Sequence, residues 1–433
     1  MNENFPLYSN LFRKGVFKLN SLEESIKKHA LPFESSKDLT PIIDAIGEAK
    51  IVLLGEASHG TSEFYTVRAE LSKRLIEEKG FTLIAVEGDW PSCQKVNQFI
   101  KGYESEENDV RHVLKSFNRW PTWMCANKEI AEFALWLKSH NQQQEKQKVG
   151  FYGIDVYSLW ESLDELIKYL TETNPEGRDL ALAKKAFSCF EPFNRHPETY
   201  AMSSLNITQA CVDEVSSLLT SIRSHEDHYK NDQEADLNIK INALVARNAE
   251  EYYRAMVRND GLSWNVRDEH MVEAINEIMD YHGKDAKIIV WEHNTHIGDA
   301  SHTDMASEGM INVGEVLRKQ NKKDNVYAVG FGTHSGTVIA AEEWGVPYKR
   351  TTVPPAMKNS WEDALQKTGA HNKLLIFNGE NRHLFNEWIG HRAIGVVYNP
   401  EYEAYGNYVP SKMGSRYDAF IYIDETTALT PLE

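Results

Sequence analysis

Short, unbroken apolar runs separated by longer amphipathic stretches set the pattern of this chain. Ile51–Gly55 (IVLLG), Phe81–Val86 (FTLIAV), Val149–Ile154 (VGFYGI), Lys287–Trp291 (KIIVW) and Asn325–Gly332 (NVYAVGFG) are such runs. Lys373–Phe377 (KLLIF), Arg392–Tyr398 (RAIGVVY) and Ala419–Ile423 (AFIYI) are three more. A continuous run, unlike a strict apolar/polar alternation, predicts a strand buried on both faces. Helices are predicted at Leu39–Glu48, at Ser62–Lys79, at Pro91–Lys101 with Pro91 in the first turn, and from a start near Asn127. Strand and helix alternating in this way predict an α/β fold with a central, largely parallel sheet flanked by helices. Antiparallel members fit among the later runs.

Between Val156 and Arg267 the strand pattern disappears. The stretch is polar and helix-prone, with long candidates at Ile207–Ser224 and Leu237–Val257. A single crossover needs a dozen or so residues, so this length predicts a helical insertion at about 157–267, covering one edge of the sheet. Residues 1–35 read as an irregular or helical lead-in, and the whole of 1–433 as one catalytic domain carrying that insertion. No repeat, low-complexity tract or proline-rich linker interrupts it.

Charge narrows the partners. The formal net charge is −17, a poor match to nucleic-acid phosphates or an anionic membrane surface. The N-terminus lacks an apolar signal segment, and no run is long enough to span a bilayer. Cys93, Cys125, Cys189 and Cys211 are scattered without C-x-x-C or zinc-type spacing, which predicts reduced thiols. These features together predict a cytoplasmic protein. A homodimer is compatible with them.

Ionisable residues gather just after the predicted strands. Glu56 follows the first strand, with His59 three residues on; Glu87 follows the second; Asp155 the third; His293 and His296 follow Trp291. A parallel sheet brings those ends to one edge, where ligands bind in open α/β folds. For a lone acid such as Asp155, a solvated loop position or a helix cap is the plainer reading. Gly55 and Gly60 would allow a sharp turn around Glu56 and His59. Arg68 lies on the same helical stripe as Phe64, Leu71 and Leu75. A core-facing guanidinium requires a partner, and Glu56 and Glu87 are the natural ones; the alternative is that Arg68 sits at the stripe's edge and reaches water.

Two chemistries fit these residues. A neutral histidine could act as general base on water, oriented by a glutamate, with the other histidines and Arg68 stabilising an oxyanion. Alternatively, His59, His293, His296 and a glutamate could bind a metal that activates the water. An arginine directly beside the site opposes a cation, which favours the version without metal or other cofactor. A non-catalytic metal- or haem-binding protein is a third reading. The chain has no G-x-S-x-G elbow and no phosphate-binding P-loop. His334 in GFGTHSG reads as a loop or packing residue. Trp90, next to Glu87, and Trp123, in RWPTWM, are candidates for the walls of a substrate cleft, with Asp155 at its edge; packing the loops down is the plainer role for such tryptophans.

At these residues the sequence resembles the erythromycin esterase family. The resemblance rests on GEASHGTSEFY at Gly55–Tyr65, Arg68, AVEGDWP at Ala85–Pro91, FYGID at Phe151–Asp155, Arg267–Asp268 and WEHNTHIGD at Trp291–Asp299, in that order. It implies a small-molecule ester substrate. The family's named activity opens the macrolactone ring of erythromycin-type antibiotics, an activity tied to antibiotic resistance. It also implies that the family's functional positions fall on Glu56, His59, Arg68, Glu87, His293 and His296, with His59 as the favoured general base and Glu56 or Glu87 orienting it. It implies a central sheet flanked by helices with the helical insertion over the cleft; it carries over no metal, and it does not fix the substrate.

Overall fold

The computed structural model describes residues 21–432 apart from 104–108, 146, 206–210, 226–228, 230 and 231. The lead-in up to residue 20 and the first residues of the helix expected from Ile207 therefore lie outside the described residues. The strands are β1 (Leu31–Pro32), β2 (Ile51–Leu54), β3 (Leu83–Asp89), β4 (Gly150–Asp155), β5 (Ile288–Trp291), β6 (Val326–Ala340), β7 (Lys349–Val353), β8 (Lys373–Ile376), β9 (Ile389–Arg392), β10 (Tyr408–Ser411) and β11 (Ala419–Thr426). Nine of them form one sheet in the order β1–β8–β11–β6–β2–β5–β3–β4, with β7 added on the far half of β6. From β11 to β4 every pairing is parallel, while β1, β7 and β8 pair antiparallel.

The predicted apolar runs account for the centre of this sheet. Val52, Leu54 and Ile289 point into one core, and Leu53, Val290 and Ala85 into the other. Both faces are fully buried, which is why these strands read as continuous apolar runs. One run differs. Arg392–Tyr398 is not a strand beyond Arg392: β9 starts earlier and pairs with β10 in a separate two-stranded sheet. The residues after it touch Ser58 and Ala341 only through isolated bridges at Ile394 and Val397. The apolar side chains of this run, Ile394 and Tyr398, fill a small core with Val338, Ala340 and Val353 of the β6–β7 hairpin. Their hydrophobicity serves packing, not strand pairing.

After a helix at 21–29, the longer helices are α1 (Thr40–Ile46), α2 (Ser62–Lys79), α3 (Trp90–Lys101), α4 (Lys128–Gln142), α5 (Leu159–Thr173), α6 (Arg178–Phe190), α7 (Pro197–Ser204), α8 (Val212–Ser224), α9 (Ala235–Met256) and α10 (Asp260–His282), with the short helix Val110–Leu114 between α3 and α4 and further short pieces elsewhere. α2 ends at Gly80 in the left-handed conformation (φ 71°), a common helix stop. α5 to α10 form a bundle against one face of the sheet. The expected end of the insertion at 267 is passed without a break. Met271, Ala274, Ile275 and Ile278 continue the buried stripe of α10, which returns the chain to β5.

The four cysteines are not all thiols. Cys189 and Cys211 form a disulfide, with Cα atoms 5.9 Å apart, while Cys93 and Cys125 are free and buried. Spacing gave no sign of this pair, because the packing of α6 against the start of α8 brings it together. Among the described residues no helix is long and apolar enough to cross a membrane.

Candidate active site

Every strand tip that carries a candidate residue lies along the same edge of the parallel sheet. The loop after β2 is pressed against its neighbours. A Cβ on Gly55 would lie 2.1 Å from Asn294 Oδ1, and one on Gly60 would lie 1.9 Å from the Ile339 carbonyl oxygen. Neither glycine has a positive φ. They are required by close approach, not by the sharp turn the sequence suggested.

This loop buries Glu56 and His59 together. Glu56 Oε1 lies 2.8 Å from His59 Nδ1, and its other oxygen accepts from Arg68 Nη2. Arg68 faces the core from α2, donates to the Phe64 carbonyl, and has its guanidinium 4.5 Å from the Tyr65 ring and 4.7 Å from the Trp291 ring. Of its two anticipated partners it takes Glu56. Glu87 is held by a different arginine.

That arginine is Arg267 of α10. Its Nη2 donates to Glu87 Oε1 at 2.7 Å, and its Nε and Nη2 grip Asp155 at 2.9 and 2.8 Å in a bidentate fork. Its Nη1 lies 3.0 Å from His296 Nε2. An N–H donor at Nε2 places the proton of a neutral His296 on Nδ1, which faces both oxygens of Asp268 at 3.0 Å. The His296 ring stacks on Trp264 with centroids 4.5 Å apart. The backbone N–H of His293 donates to Glu87 Oε2 at 3.0 Å. His293 Nδ1 lies 2.8 Å from Thr295 Oγ1 and accepts from the Thr295 N–H at 3.3 Å.

His59 stands between two carboxylates. Its Nε2 is 4.0 Å from Glu87 Oε1, and its ring is 5.0 Å from that of His293. Burial pushes the His59 pKa down, but the Glu87 charge and the Glu56 hydrogen bond overcome it, so the pKa stands above the ordinary histidine value. Burial pushes His293 well below that value, and the His59 charge adds to it, leaving a neutral ring. Glu87 shows the opposite balance: burial is outweighed by His59, His296 and Arg267, which hold it well below the usual carboxylate range. Glu292, beside His293, is fully buried, neither of its oxygens has a hydrogen-bond partner among the described residues, and burial pushes its pKa well up, which favours the uncharged acid.

A cleft of about 680 Å³, open to solvent at its mouth, lies over this network. His59, Glu87, Asp89, Arg119, Asp155 and Arg267 form its charged side. Phe117, Trp120, Pro121, Met124, Trp344 and Val396 form an apolar side, and Tyr157 lies between the two arginines, 5.0 Å from each guanidinium. Trp90 and Trp123 are not part of it. Trp90 is buried beneath, its indole N–H donating to Asn238 Oδ1 at 2.8 Å, and Trp123 packs into the core. The wall uses Trp120 instead, whose ring lies 4.5 Å from that of Trp344 at the tip of the β6–β7 hairpin. Asp155 does line the cleft, and His334 does not.

The structure thus brings Glu56, His59, Arg68, Glu87, Asp155, His293 and His296 into one network and adds Arg267 and Asp268, with buried Glu292 beside it. Arg267–Asp268 stood in the sequence as a motif, but nothing local marked a mid-helix arginine as the partner of two strand-tip acids. Among the described residues no group of three or more His, Cys, Asp or Glu side chains is arranged to hold a metal ion.

The chain is similar to several known proteins along most of its length. It is 22% identical over 385 residues to the erythromycin esterase type II of Escherichia coli, covering 82% of this chain and 88% of that one. It is 22% identical over 425 residues to the putative hydrolase YbfO of Bacillus subtilis strain 168, covering 93% and 90%. Among solved structures it is similar to a Bacillus cereus protein (TM-score 0.77, 19% identity, 96% of this chain and 99% of that one) and to a mutant of the erythromycin esterase EreC in its open conformation (TM-score 0.65, 15% identity, 91% and 95%). The family model for erythromycin esterase matches residues 76–426. With most of its length matched by that model, and the charged strand-tip network at one edge of its sheet, the chain belongs to the erythromycin esterase family.

Proposed function

We propose that this protein is a carboxylic-ester hydrolase in which His59 activates water, and that its substrates include macrolactones of the erythromycin type. The observation that carries this reading is the pairing of His59 Nδ1 with buried Glu56 while the ring lines the cleft. With its Nδ1 proton held by Glu56, the imidazole presents Nε2 as the base. His59 takes a proton from water as the water oxygen bonds to the ester carbonyl carbon. Negative charge gathers on the carbonyl oxygen, beside the positive charge of Arg267 in the cleft wall. The tetrahedral species collapses, the carbon–oxygen bond to the alcohol breaks, and the imidazolium returns its proton to the leaving alkoxide. Glu87, clamped by Arg267 and held well below the usual carboxylate range against the pull of burial, is a poor base and acts by its charge.

The test is a mass-spectrometric assay of the purified protein with erythromycin and a panel of simpler esters, with and without chelator, beside a folded His59→Asn variant. Gain of one water, insensitive to chelator and absent in the variant, is the expected result. Chelator-sensitive turnover would transfer these residues to metal ligation. Full turnover by the variant would remove His59 as the base. Turnover of simple esters without macrolides would keep the mechanism and change the substrate.

A further inference from the structure

The two loops that build the site, Gly55–His59 and His293–His296, meet at a residue outside the mechanism above. Asn294 is fully buried between the two histidines of its loop. Its backbone N–H donates to the Glu56 carbonyl at 2.9 Å. Its side-chain Nδ2 donates to the Phe331 carbonyl at 2.7 Å, and its Oδ1 accepts the Phe331 N–H at 3.2 Å. Its own carbonyl accepts from Arg416 Nη2 at 2.9 Å. One residue therefore joins the tips of β2 and β5 to the middle of β6.

The amide of Asn294 has a further contact. Its Nδ2 lies 3.2 Å from His391 Nε2, and His391 Nδ1 lies 2.6 Å from Glu362 Oε1. His391 and Glu362 are both fully buried, on β9 and on the helix Trp361–Lys367. The carboxylate of Glu362 accepts a proton-bearing Nδ1, which leaves Nε2 as a bare acceptor, the only state that suits the Asn294 NH₂. The amide therefore cannot flip without setting two donors, or two acceptors, face to face. The close approach at Gly55 shows how tightly that amide is seated: a Cβ there would overlap Asn294 Oδ1.

We propose that Asn294 is a positioning residue that sets Glu56 and His59 against His293 and His296, and that His391, oriented by Glu362, fixes it by accepting its amide hydrogen. The functional half of this proposal rests on the reading of Glu56 and His59 as the water-activating pair; the structural half does not. Breaking the contact loosens the loop after β5 relative to the loop after β2, while the cleft walls stay in place. The loss falls on turnover and not on substrate affinity.

Two measurements decide it. In the unmutated protein, ring-nitrogen NMR is expected to find His391 protonated at Nδ1 and bare at Nε2; a proton on Nε2 overturns the proposal. Next, His391→Gln and His391→Met are compared, both in a Glu362→Gln background so that no carboxylate is left stranded. Glutamine keeps a strong acceptor for the Asn294 amide, and methionine matches its size with only a weak one. The methionine variant is expected to shift the His59 ring resonances and, on any ester the protein hydrolyses, to lower kcat about tenfold with KM nearly unchanged. The glutamine variant is expected to recover most of both. Equal behaviour of the two folded variants overturns the proposal. The NMR readings need no substrate, so a protein that hydrolyses no ester would fail the functional reading and leave this one decided.

Discussion

Arg267 Nη2 lies 2.7 Å from Glu87 Oε1, and this ion pair fastens the helical bundle to the tip of β3. The same guanidinium holds Asp155 at the tip of β4 and touches His296 beyond β5. One side chain from α10 thus ties together three strand ends. Burial opposes its charge, but Asp155, Tyr157 and Glu87 overcome this and keep it protonated.

Removing that arginine strands two buried carboxylates. Arg267→Leu is expected to destabilise the fold by about 3–5 kcal/mol, the usual effect of breaking a buried pair. Arg267→Lys keeps the charge but cannot form the fork on Asp155 and reach His296 at once. It is expected to retain most of the stability and lose most of the activity. Chemical denaturation beside turnover of whichever ester is accepted checks both. A lysine variant with normal turnover would show that only the charge matters.

The His59 pKa gives a second prediction. A base held above the ordinary histidine value is protonated, and idle, at the acid end of the range, so kcat/KM is expected to rise with pH through that raised pKa. The Glu87 charge does most to raise it against the pull of burial. Glu87→Gln is therefore expected to move the rising limb to lower pH as well as to reduce the maximum. A pH–rate profile of the two proteins decides; a limb that stays in place would mean the profile reports another group.

Trp344 is 62% exposed at the cleft mouth, its indole leaning on Trp120, whose N–H is satisfied by the Val346 carbonyl. A large exposed ring beside a charged cleft fits a substrate with an apolar ring face. Trp344→Ala is expected to raise KM about tenfold for ring-bearing esters, the weight of roughly 1.5 kcal/mol of aromatic contact, with kcat and melting temperature little changed. Ethyl acetate, with no ring to stack, serves as the control. An equal change for both substrates would argue for a general disturbance of the cleft.

Much of this was legible in the chain, for identifiable reasons. Strands buried on both faces announce themselves as unbroken apolar runs, so the centre of the sheet and its edge of ionisable tips could be read directly. Arg68 could be placed because its helical stripe is local. Arg267 could not be paired, because its partners lie on β3 and β4, far away in sequence, and no pattern within α10 points to them. Trp90 and Trp123, the expected cleft tryptophans, pack inward and leave the wall to Trp120 for a similar reason: which indole faces the cleft depends on tertiary seating, Trp90 being drawn inward by its stacking on Tyr152. Ile394 and Tyr398 misled because an apolar run can pack beneath a hairpin as readily as it can pair in a sheet.

The disulfide gives a prediction that tests the packing of the bundle. Alkylation of the denatured, unreduced protein is expected to modify Cys93 and Cys125 alone, and all four cysteines after reduction. Cys189 and Cys211 close a loop across a separation of 22 residues, for which loop-closure entropy predicts a loss of about 3 kcal/mol when the bond is removed. Cys189→Ser is expected to lower the denaturation midpoint accordingly without changing kcat, since the bond lies in the bundle away from the cleft-lining residues. Four alkylated cysteines before reduction would refute the pairing.

Two histidines outside the site, His270 fully buried and His282 partly so, are expected to set the acid limit of the fold. His270 and His282 are both pushed by burial down to about 4. In the unfolded chain they titrate near 6.5. Between those values the unfolded chain takes up protons that the folded protein does not, so stability falls as pH drops from about 6.5 towards 4, by up to about 3 kcal/mol per histidine. His59 acts in the opposite sense: its raised pKa contributes stability that is complete below the unfolded value and is lost as pH rises through the folded one. Urea denaturation across this range is expected to show the acid loss. His270→Gln should flatten it by about half, because the amide can keep a hydrogen bond to Asn248 and has no proton to gain. An unchanged slope in that variant would place the acid sensitivity elsewhere, with the carboxylates around Arg267 as the next groups to examine.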